Sequence, residues 1–541
     1  MNQVVTHNSR LWRRNHDGTG LVFTHRQGKA KFLHLNAPGI EIFTDCQGDL
    51  SKNNIVKKWS GALQIDERFV REFLRQLQEQ QAVTIGELCL DHLPPNWENE
   101  NQQTTDILLI VPPNPFASRE EIPLPLGVLM LASALKQVGF SVALFDMFLH
   151  NLDPIEIVKA VKKYKPSIIG ISVITASAPS AYQVIKCLKT IDFAGLLIVG
   201  GIHATHCPTE VLQQGANVVV RGEGTYALCQ LARLYFDNRA WDTSFLQSIP
   251  NIHYWHGDKI QKSLKAVNTS ISSADDLPQP DRNIIDINNY PQKGAIISTF
   301  GCNRRCRFCT ARNHPLSSYL ARKPDRIIAE LHEMERLGIC VGNFVDDSFL
   351  LDHQRVETLC RMILQTNLNM AFACQAKVDD ACKNPSTLKK MVEAGFSAIE
   401  FGVESGNQAV LRWTRKGITL EQAARAVDAA HNAGFQRISC GMIIGYPIDT
   451  RETIEDTIQF AIHLLSRGAH NIPLAICTPF PGSDIANNAD TYGIKIVCRD
   501  WSRYNFREAV MDTPMLTHRE IEQLYLDGLY RIHCASVRKG G

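Results

Sequence analysis

The sequence predicts an α/β chain made of two successive strand–helix units behind a small α+β module. Three observations carry this. Strand and helix patterns alternate cleanly between Ile107 and Phe236, as in a parallel sheet covered on both faces. Six further strand–helix repeats lie between Ala295 and Cys477, the pattern of a partial (β/α) barrel. Directly after the first strand of that second series stands Gly301-Cys302-Asn303-Arg304-Arg305-Cys306-Arg307-Phe308-Cys309, where three thiols are separated by three and then two residues.

A length of 541 residues allows about three domains. Lys plus Arg number 57 against 55 for Asp plus Glu, so no global field draws in nucleic acid or an anionic membrane. The start of the chain to Arg14 is polar, and no apolar run reaches membrane-spanning length. The 16 cysteines are mostly scattered singly through apolar patterns. That argues for a reduced, cytoplasmic setting rather than a disulfide framework.

At the N-terminus, Leu21-Val22-Phe23 and Lys31-Phe32-Leu33-His34-Leu35 read as short strands broken at Gln27-Gly28. Asn36 can cap a helix through Ile40 and Phe43 to Cys46, stopped by Gly48. Val70, Phe73, Leu74 and Leu77 mark a second amphipathic helix. The run from Leu35 to Phe43, with Gln47-Gly48 and the helix at 70–77, resembles the PqqD-like winged-helix domain. That family captures the leader of a ribosomally made peptide by adding it as a strand to a sheet edge. A generic winged helix is the structural alternative. The resemblance implies a peptide-recognition domain over 1–95, and the polar run 98–103 reads as the linker out of it.

In the middle unit, strands are expected at 107–111, 142–145, 168–172, 196–200 and 218–221. Helices are expected at 126–138, 154–164, 178–191, 209–214 and 226–236. Ligands of such sheets bind outside the carboxyl ends of the strands, and small residues cluster there. Pro112-Pro113-Asn114, Leu124-Pro125-Leu126-Gly127, Ser172, Gly200-Gly201-Ile202-His203-Ala204-Thr205 and Arg221-Gly222-Glu223-Gly224 resemble the cobalamin-binding domain that precedes many radical S-adenosylmethionine (SAM) cores. The resemblance implies a Rossmann-like cobalamin-binding domain over 104–240, with Ser172, Gly200, Gly201, His203, Gly222 and Glu223 at the cofactor. Glycines there let backbone approach the ligand closely.

Two departures stand out. Pro112 to Phe116 replaces the Asp-x-His-x-x-Gly whose histidine ligates cobalt in better-known members, so no histidine lower ligand is inferred. Thr225 stands where a carboxylate is common. A flavodoxin-like domain holding another nucleotide is the alternative. His203 with His206 as a metal pair is disfavoured. Residues 241–289 read as a linker.

Three thiolates in one loop can hold three irons of a [4Fe–4S] cube and leave the fourth open to a chelating ligand. A zinc knuckle needs a fourth ligand, and His314, beside Pro315, has no paired partner. The spacing, with Phe308 before the last cysteine, resembles the signature loop of radical SAM enzymes. There the open iron binds SAM, and one electron cleaves it to a 5′-deoxyadenosyl radical. The resemblance makes Cys302, Cys306 and Cys309 both metal ligands and catalytic residues. Arg304, Arg305, Arg307 and Arg312 flank the loop as charge balance.

The barrel unit, 290–493, has strands expected at 295–300, 342–346, 371–375, 398–403, 438–444 and 472–477. Residues at strand carboxyl ends face the ligand. Val345-Asp346-Asp347-Ser348-Phe349, Gln375, Phe401-Gly402-Val403-Glu404-Ser405-Gly406, Gly441 to Pro447 and Thr478 to Ser483 resemble the matching segments of radical SAM barrels. The resemblance implies Asp346 or Asp347 near the methionine amino group. Glu404 and Ser405 would lie at the ribose or carboxylate, and Gly441 to Gly445 would flank adenine. Residues 494–541, with Ile521, Leu524, Tyr525 and Leu529 on one face, are expected to form a helical cap without a second cluster.

The whole resembles a cobalamin-dependent radical SAM enzyme: a Rossmann-like cobalamin-binding domain, then a partial (β/α)6 radical SAM barrel, with a small winged-helix-like N-terminal domain. Its implied cofactors are a [4Fe–4S] cluster, SAM and cobalamin. The resemblance implies a methyltransferase acting on an unactivated carbon of a ribosomally synthesised peptide, by way of methylcobalamin and the 5′-deoxyadenosyl radical. Cyclisation, rearrangement or methylthiolation of a small molecule or lipid is the alternative within enzymes. A non-catalytic iron–sulfur sensor is the alternative outside them. A flavodoxin- or ferredoxin-type electron donor is the implied partner.

Overall fold

In the computed structural model, residues 104–114, 122–237, 243–263, 273–311 and 319–540 are described, with the backbone of five strands nearer the N-terminus. These five are β1 (Gln3–His7), β2 (Ser9–Arg14), β3 (Gly20–Arg26), β4 (Lys29–Leu35) and β5 (Val83–Glu87). β2, β3 and β4 form an antiparallel meander, and β1 pairs antiparallel with β5. The two strands expected at 21–23 and 31–35 are present within β3 and β4, which pair with Arg26 opposite Lys29. The expected helices at 36–46 and 70–77, the linker at 98–103, Arg312 and His314 lie outside the described residues. Residues 1–99 with 523–534 form one compact unit, and 100–522 with 535–541 form another.

The first sheet of the larger unit is built on near-continuous apolar runs, as a parallel sheet buried on both faces requires. Its strands are β6 (Ile107–Val111), β7 (Val142–Asp146), β8 (Ile168–Ser172), β9 (Leu196–Gly200) and β10 (Val218–Val220). Two more are β11 (Ile252–His256) and β12 (Lys259–Lys262). The order is β12-β11-β10-β9-β8-β6-β7, parallel from β7 to β10. β6 lies between β7 and β8, so the strand order reverses there and opens a crevice at their carboxyl ends.

Part of the stretch expected to be linker, 241–289, is instead sheet. β11 and β12 form an antiparallel hairpin on β10, because Ile252 and Tyr254 alternate into the core and are 0% and 1% exposed.

The second sheet starts with β13 (Ala295–Ile296). A separate short pair follows, β14 (Thr299–Phe300) with β15 (Leu320–Ala321). Then come β16 (Val341–Phe344), β17 (Ala371–Lys377), β18 (Phe396–Glu404), β19 (Arg437–Ile444) and β20 (Leu474–Ile476). The six-stranded order β13-β16-β17-β18-β19-β20 is parallel throughout.

Period-2 alternation sorts each strand into two faces. Phe372, Cys374 and Ala376 of β17 are buried, as are Ile399, Phe401 and Val403 of β18. That face packs under the helices: a Cβ on Gly342 of β16 would touch Leu331 of the Pro324–Arg336 helix. Gln375, Lys377, Glu400 and Glu404 occupy the opposite, more open face, the inside of the barrel. The expected first strand, 295–300, is broken after Ile296, and the second stops at Phe344 rather than Asp346.

The C-terminal stretch is more than a helical cap. β21 (Lys495–Ile496) pairs with β22 (Met511–Asp512) before the His518–Gly540 helix. Ile494 and Met511 join Tyr446 and Cys477 in one buried cluster. Among the described residues, no helix is long and apolar enough to cross a membrane.

Beneath the first barrel strand lies a buried ionic triad. Glu330 accepts from Arg282 at 2.7 Å and Arg322 at 2.6 Å, and Arg282 and Glu330 are both fully buried. Removing the central carboxylate strands two guanidinium charges away from water. Glu330→Ala is therefore expected to lower unfolding stability by about 3 to 5 kcal/mol, read from urea denaturation of the apoprotein.

Candidate active site

The barrel's polar apparatus starts at the break in its first strand. Asp346 accepts hydrogen bonds from the backbone N–H of Ser298 (2.6 Å), the backbone N–H of Thr299 (2.8 Å) and the Ser298 hydroxyl. Carbonyls at the break are also taken. Arg322 donates to Ile297 O at 2.8 Å and Arg355 to Ser298 O at 3.0 Å. The chain thus leaves the ladder with the N–H groups of Ser298 and Thr299 and the carbonyls of Ile297 and Ser298 partnered, and the cysteine loop begins just beyond, at Gly301. Burial pushes the Asp346 carboxyl up to about 6, partly offset by those bonds.

Cys302, Cys306 and Cys309 are all partly buried. Lys377, at the end of β17, donates to Cys302 Sγ at 2.7 Å and to Ser348 Oγ at 2.6 Å. Cys306 Sγ donates to the carbonyl of Arg415 at 3.8 Å. Lys416 next door pairs with Glu404 at 2.7 Å. Burial opposes the Lys416 charge, but Glu404 and the nearby sulfurs outweigh it and hold its pKa up. Burial raises the Cys306 thiol and raises Cys309 to about 11.

Arg304 is neutralised by Asp379 and, at 3.4 Å, by Asp380. Arg307 lies over the Trp413 ring at 4.7 Å. The loop therefore holds three sulfurs among cations, a donor set that suits an anionic iron–sulfide cluster. Glu404 has φ of 77° at a register shift between β18 and β19. Such a non-glycine conformation persists only where its surroundings hold it, and it is common at functional sites.

The sites expected at the SAM end divide. Asp347 is exposed and lies close enough to act on the Cys309 thiol. Gln375 and Glu404 share the inner face with Lys377. Gly441 is on that face too, and a Cβ there would meet only the Phe401 carbonyl, at 3.9 Å. Three expectations need correction. Asp346 is 1% exposed and its oxygens are occupied at the strand break. Ser405 is also 1% exposed and bonds Thr457 at 3.1 Å. Gly445, with φ of 82°, is packed beneath Ile521.

Lys377 and Lys416 were not anticipated. Lys377 sits two residues beyond Gln375, a spacing that puts both on one face of a strand. Nothing local distinguishes Lys416 from a solvated turn residue.

In the first sheet, a cavity of about 260 Å³ opens at the strand-order reversal. Ser172, Gly200, Gly201, Gly222 and Glu223 all line it. Burial raises the Glu223 carboxyl. Gly201 has φ of 95°, and a Cβ there would fall 2.5 Å from the Val173 carbonyl, so only glycine fits. Gly127 borders the cavity with nothing within 4 Å of its Cβ position. This apolar, glycine-walled slot suits the tail of a large nucleotide-like cofactor.

His203 is the exception among the expected contacts. It is outside the lining and fully buried, 2.9 Å from the Tyr182 hydroxyl. The far wall of the cavity is Ile297 and Phe300 of the barrel. These residues lead straight into the cysteine loop.

Comparison with known proteins agrees with this geometry. Residues 296–461 match the Radical SAM superfamily, and residues 116–232 match the B12 binding domain. The chain is 28% identical over 428 residues to a Pyrococcus horikoshii protein named uncharacterized methyltransferase PH0819, covering 77% of this chain and 90% of that one. It is 25% identical over 411 residues to the anaerobic magnesium-protoporphyrin IX monomethyl ester cyclase of Rubrivivax gelatinosus, covering 73% and 71%. The fold is similar to that of the radical SAM methyltransferase TsrM from Kitasatospora setae, with a TM-score of 0.63 and 17% identity over 80% of this chain and 91% of that one.

The chain thus joins a stretch that matches the B12 binding domain to a following stretch that matches the Radical SAM superfamily. Its cofactors are a [4Fe–4S] cluster, S-adenosylmethionine and cobalamin.

A carboxyl with a raised folded-state pKa favours the fold more when protonated than when ionised. For Asp346 that contribution is complete below its unfolded value near 4 and is lost as pH rises through about 6. Asp346→Asn lacks this dependence. Wild-type stability relative to the variant is expected to fall by about 2 kcal/mol between pH 4 and pH 7, measured by urea denaturation of the apoprotein across that range.

Proposed function

We propose that this enzyme transfers a methyl group from S-adenosylmethionine, by way of cobalamin, to an unactivated carbon of its substrate. The observation that supports this reading is the shared wall. Ile297 and Phe300 border the cavity of the first sheet and lead into the cysteine loop. A corrin seated there and an open iron at the loop would therefore serve one reaction space. When bound, the cluster with SAM supplies a 5′-deoxyadenosyl radical, and cobalamin supplies the methyl carrier.

The chain's own residues hold and orient. Cys302, Cys306 and Cys309 take three irons. Lys377 and Lys416 place positive charge beside the sulfurs, which favours the cluster's net negative charge. Asp347, Gln375, Glu404 and Gly441 are left to contact SAM, since Asp346 and Ser405 are engaged elsewhere. Ser172, Gly200, Gly201, Gly222 and Glu223 are the cobalamin contacts of this reading.

The substrate class is a ribosomally made peptide, read from the PqqD-like run between Leu35 and Leu77. A flavodoxin- or ferredoxin-type carrier supplies the electron, and the setting is the cytoplasm. The domain assignment follows: 1–95 for the peptide, the cobalamin domain extended through β12, then the barrel.

Turnover of a leader-bearing peptide with SAM deuterated in its methyl group tests the reaction. Product carrying the label is expected. Product without it removes methyl transfer and leaves ring formation, the activity named for the Rubrivivax relative. Two variants test the site itself. Cys302→Ala, Cys306→Ala and Cys309→Ala combined are expected to abolish 5′-deoxyadenosine release while cobalt is retained. Gly127→Phe, which fills the slot, is expected to lose cobalt while 5′-deoxyadenosine is still formed from SAM. Both are read after anaerobic reconstitution, by chromatography and metal analysis.

A further inference from the structure

After the barrel's sixth strand, the chain reaches across to the first sheet's domain and is tied at both ends. On the barrel side, Ile476 N–H of β20 donates to the carbonyl of Phe506 at 2.7 Å. On the other side, the turn Trp501–Arg503 lies against Thr175–Ser177 and the Ala178–Thr190 helix. There, Trp501 Nε1 donates to Glu210 Oε1 at 2.7 Å. The same oxygen accepts from the Tyr182 hydroxyl at 2.8 Å, which is also 2.9 Å from His203 Nε2.

Rings continue the contact. His203 meets Trp501 edge-on at 5.2 Å, Trp501 meets Tyr504 at 4.8 Å, and Phe480 meets Phe506 at 4.8 Å. A second tie lies beside it, where the His206 ring fills the place a Cβ on Gly482 would take, 2.2 Å away.

His203, Cys207 and Glu210 bring possible ligand atoms within 4.8 Å of one another. The Tyr182 hydroxyl already bridges His203 Nε2 and Glu210 Oε1, so those two ligand atoms are engaged in hydrogen bonds, while the buried Nδ1 of His203 has no hydrogen-bond partner among the described residues. Burial lowers His203 to about 4, which leaves it neutral at physiological pH and able to share a proton with the phenol.

Where this network sits gives it a purpose. His203 belongs to the Ile202–His206 helix, which continues directly from Gly200 and Gly201 at the cavity edge. Phe506 is bonded to the barrel strand that completes the sheet. We propose that the Trp501–Glu210–Tyr182–His203 clasp fixes the glycine loop of the cavity relative to the barrel, and so sets the separation of cobalt from the three-cysteine loop. Trp501 and Glu210 are then positioning residues. The inference rests on the reading that both cofactors serve one substrate. It has force because a misplacement of about 1 Å costs a reaction on the order of 100-fold, and three linked, partly buried hydrogen bonds constrain the contact more than one would.

The test uses reconstituted holoenzyme with the cluster reduced and cobalamin in its cob(II)alamin form, whose two unpaired spins report their separation by electron paramagnetic resonance. Trp501→Phe keeps the ring and removes the N–H, and Glu210→Gln keeps the shape and removes the charge. Wild type is expected to give one resolved spin–spin splitting. Both variants are expected to broaden or lose it, with cobalt content and 5′-deoxyadenosine formation unchanged. An unchanged splitting in both variants overturns the clasp, and so does loss of cobalt along with the splitting, which marks a merely structural role. A wild type without any splitting overturns it as well. Intact wild-type splitting that is lost in the variants, in an enzyme that never transfers the deuterated methyl, supports the clasp and counts against methyl transfer instead.

Discussion

The carboxylate of Asp346 holding Ser298 and Thr299 is the interaction on which the rest of the barrel depends. A parallel strand that simply continued would carry residues 297–300 along the ladder. Instead Asp346, Arg322 and Arg355 supply the partners that the missing ladder would have given. A buried backbone group without such a partner costs about 1 to 3 kcal/mol, so the break is stable only because all three side chains arrive together. The release of the chain at this point turns Phe300 toward the neighbouring sheet and sends the cysteines across the barrel mouth.

Charge follows from the same placement. A loop meant to carry thiolates in a partly buried site needs cations, and they come from Lys377 at the end of β17 and from Lys416, just past the Gln408–Trp413 helix that follows β18. Arg304, by contrast, is neutralised on the Asp379–Asp380 side. Two further contacts join the domains on the near side of the break. Tyr290 donates to the buried Asp146 at 2.8 Å, and Lys136 pairs with Asp281 at 2.6 Å. With the strap at Trp501, three separate contacts join the two sheets' domains.

Much of this was legible in the sequence, and the reason is periodicity. Strands 107–111, 168–172 and 196–200 were placed to the residue because short apolar runs rich in Ile, Leu and Val, ending at small or turn residues, have one sensible reading. The cysteine loop is local and its spacing is specific. What failed was non-local. Asp346 and Asp347 look alike in sequence, and only the strand break decides that one is buried under Ser298 while the other stays open. Ser405 follows Glu404, yet Thr457, 52 residues on, claims its hydroxyl. The β11–β12 hairpin was hidden because Trp255 and His256 are exposed and blur the alternation of Ile252 and Tyr254. His203 was assigned to the cavity by its glycine neighbours, but its partners Tyr182, Glu210 and Trp501 come from three separate segments.

The central claim is that one chain carries an iron–sulfur cube at three cysteines and a corrin in the adjoining slot. Elemental analysis of protein reconstituted without oxygen, after unbound cofactors are removed, tests it most directly. The account predicts about four irons and four sulfides with one cobalt per chain. Zinc in place of iron, or a protein that keeps no cobalt, would contradict it.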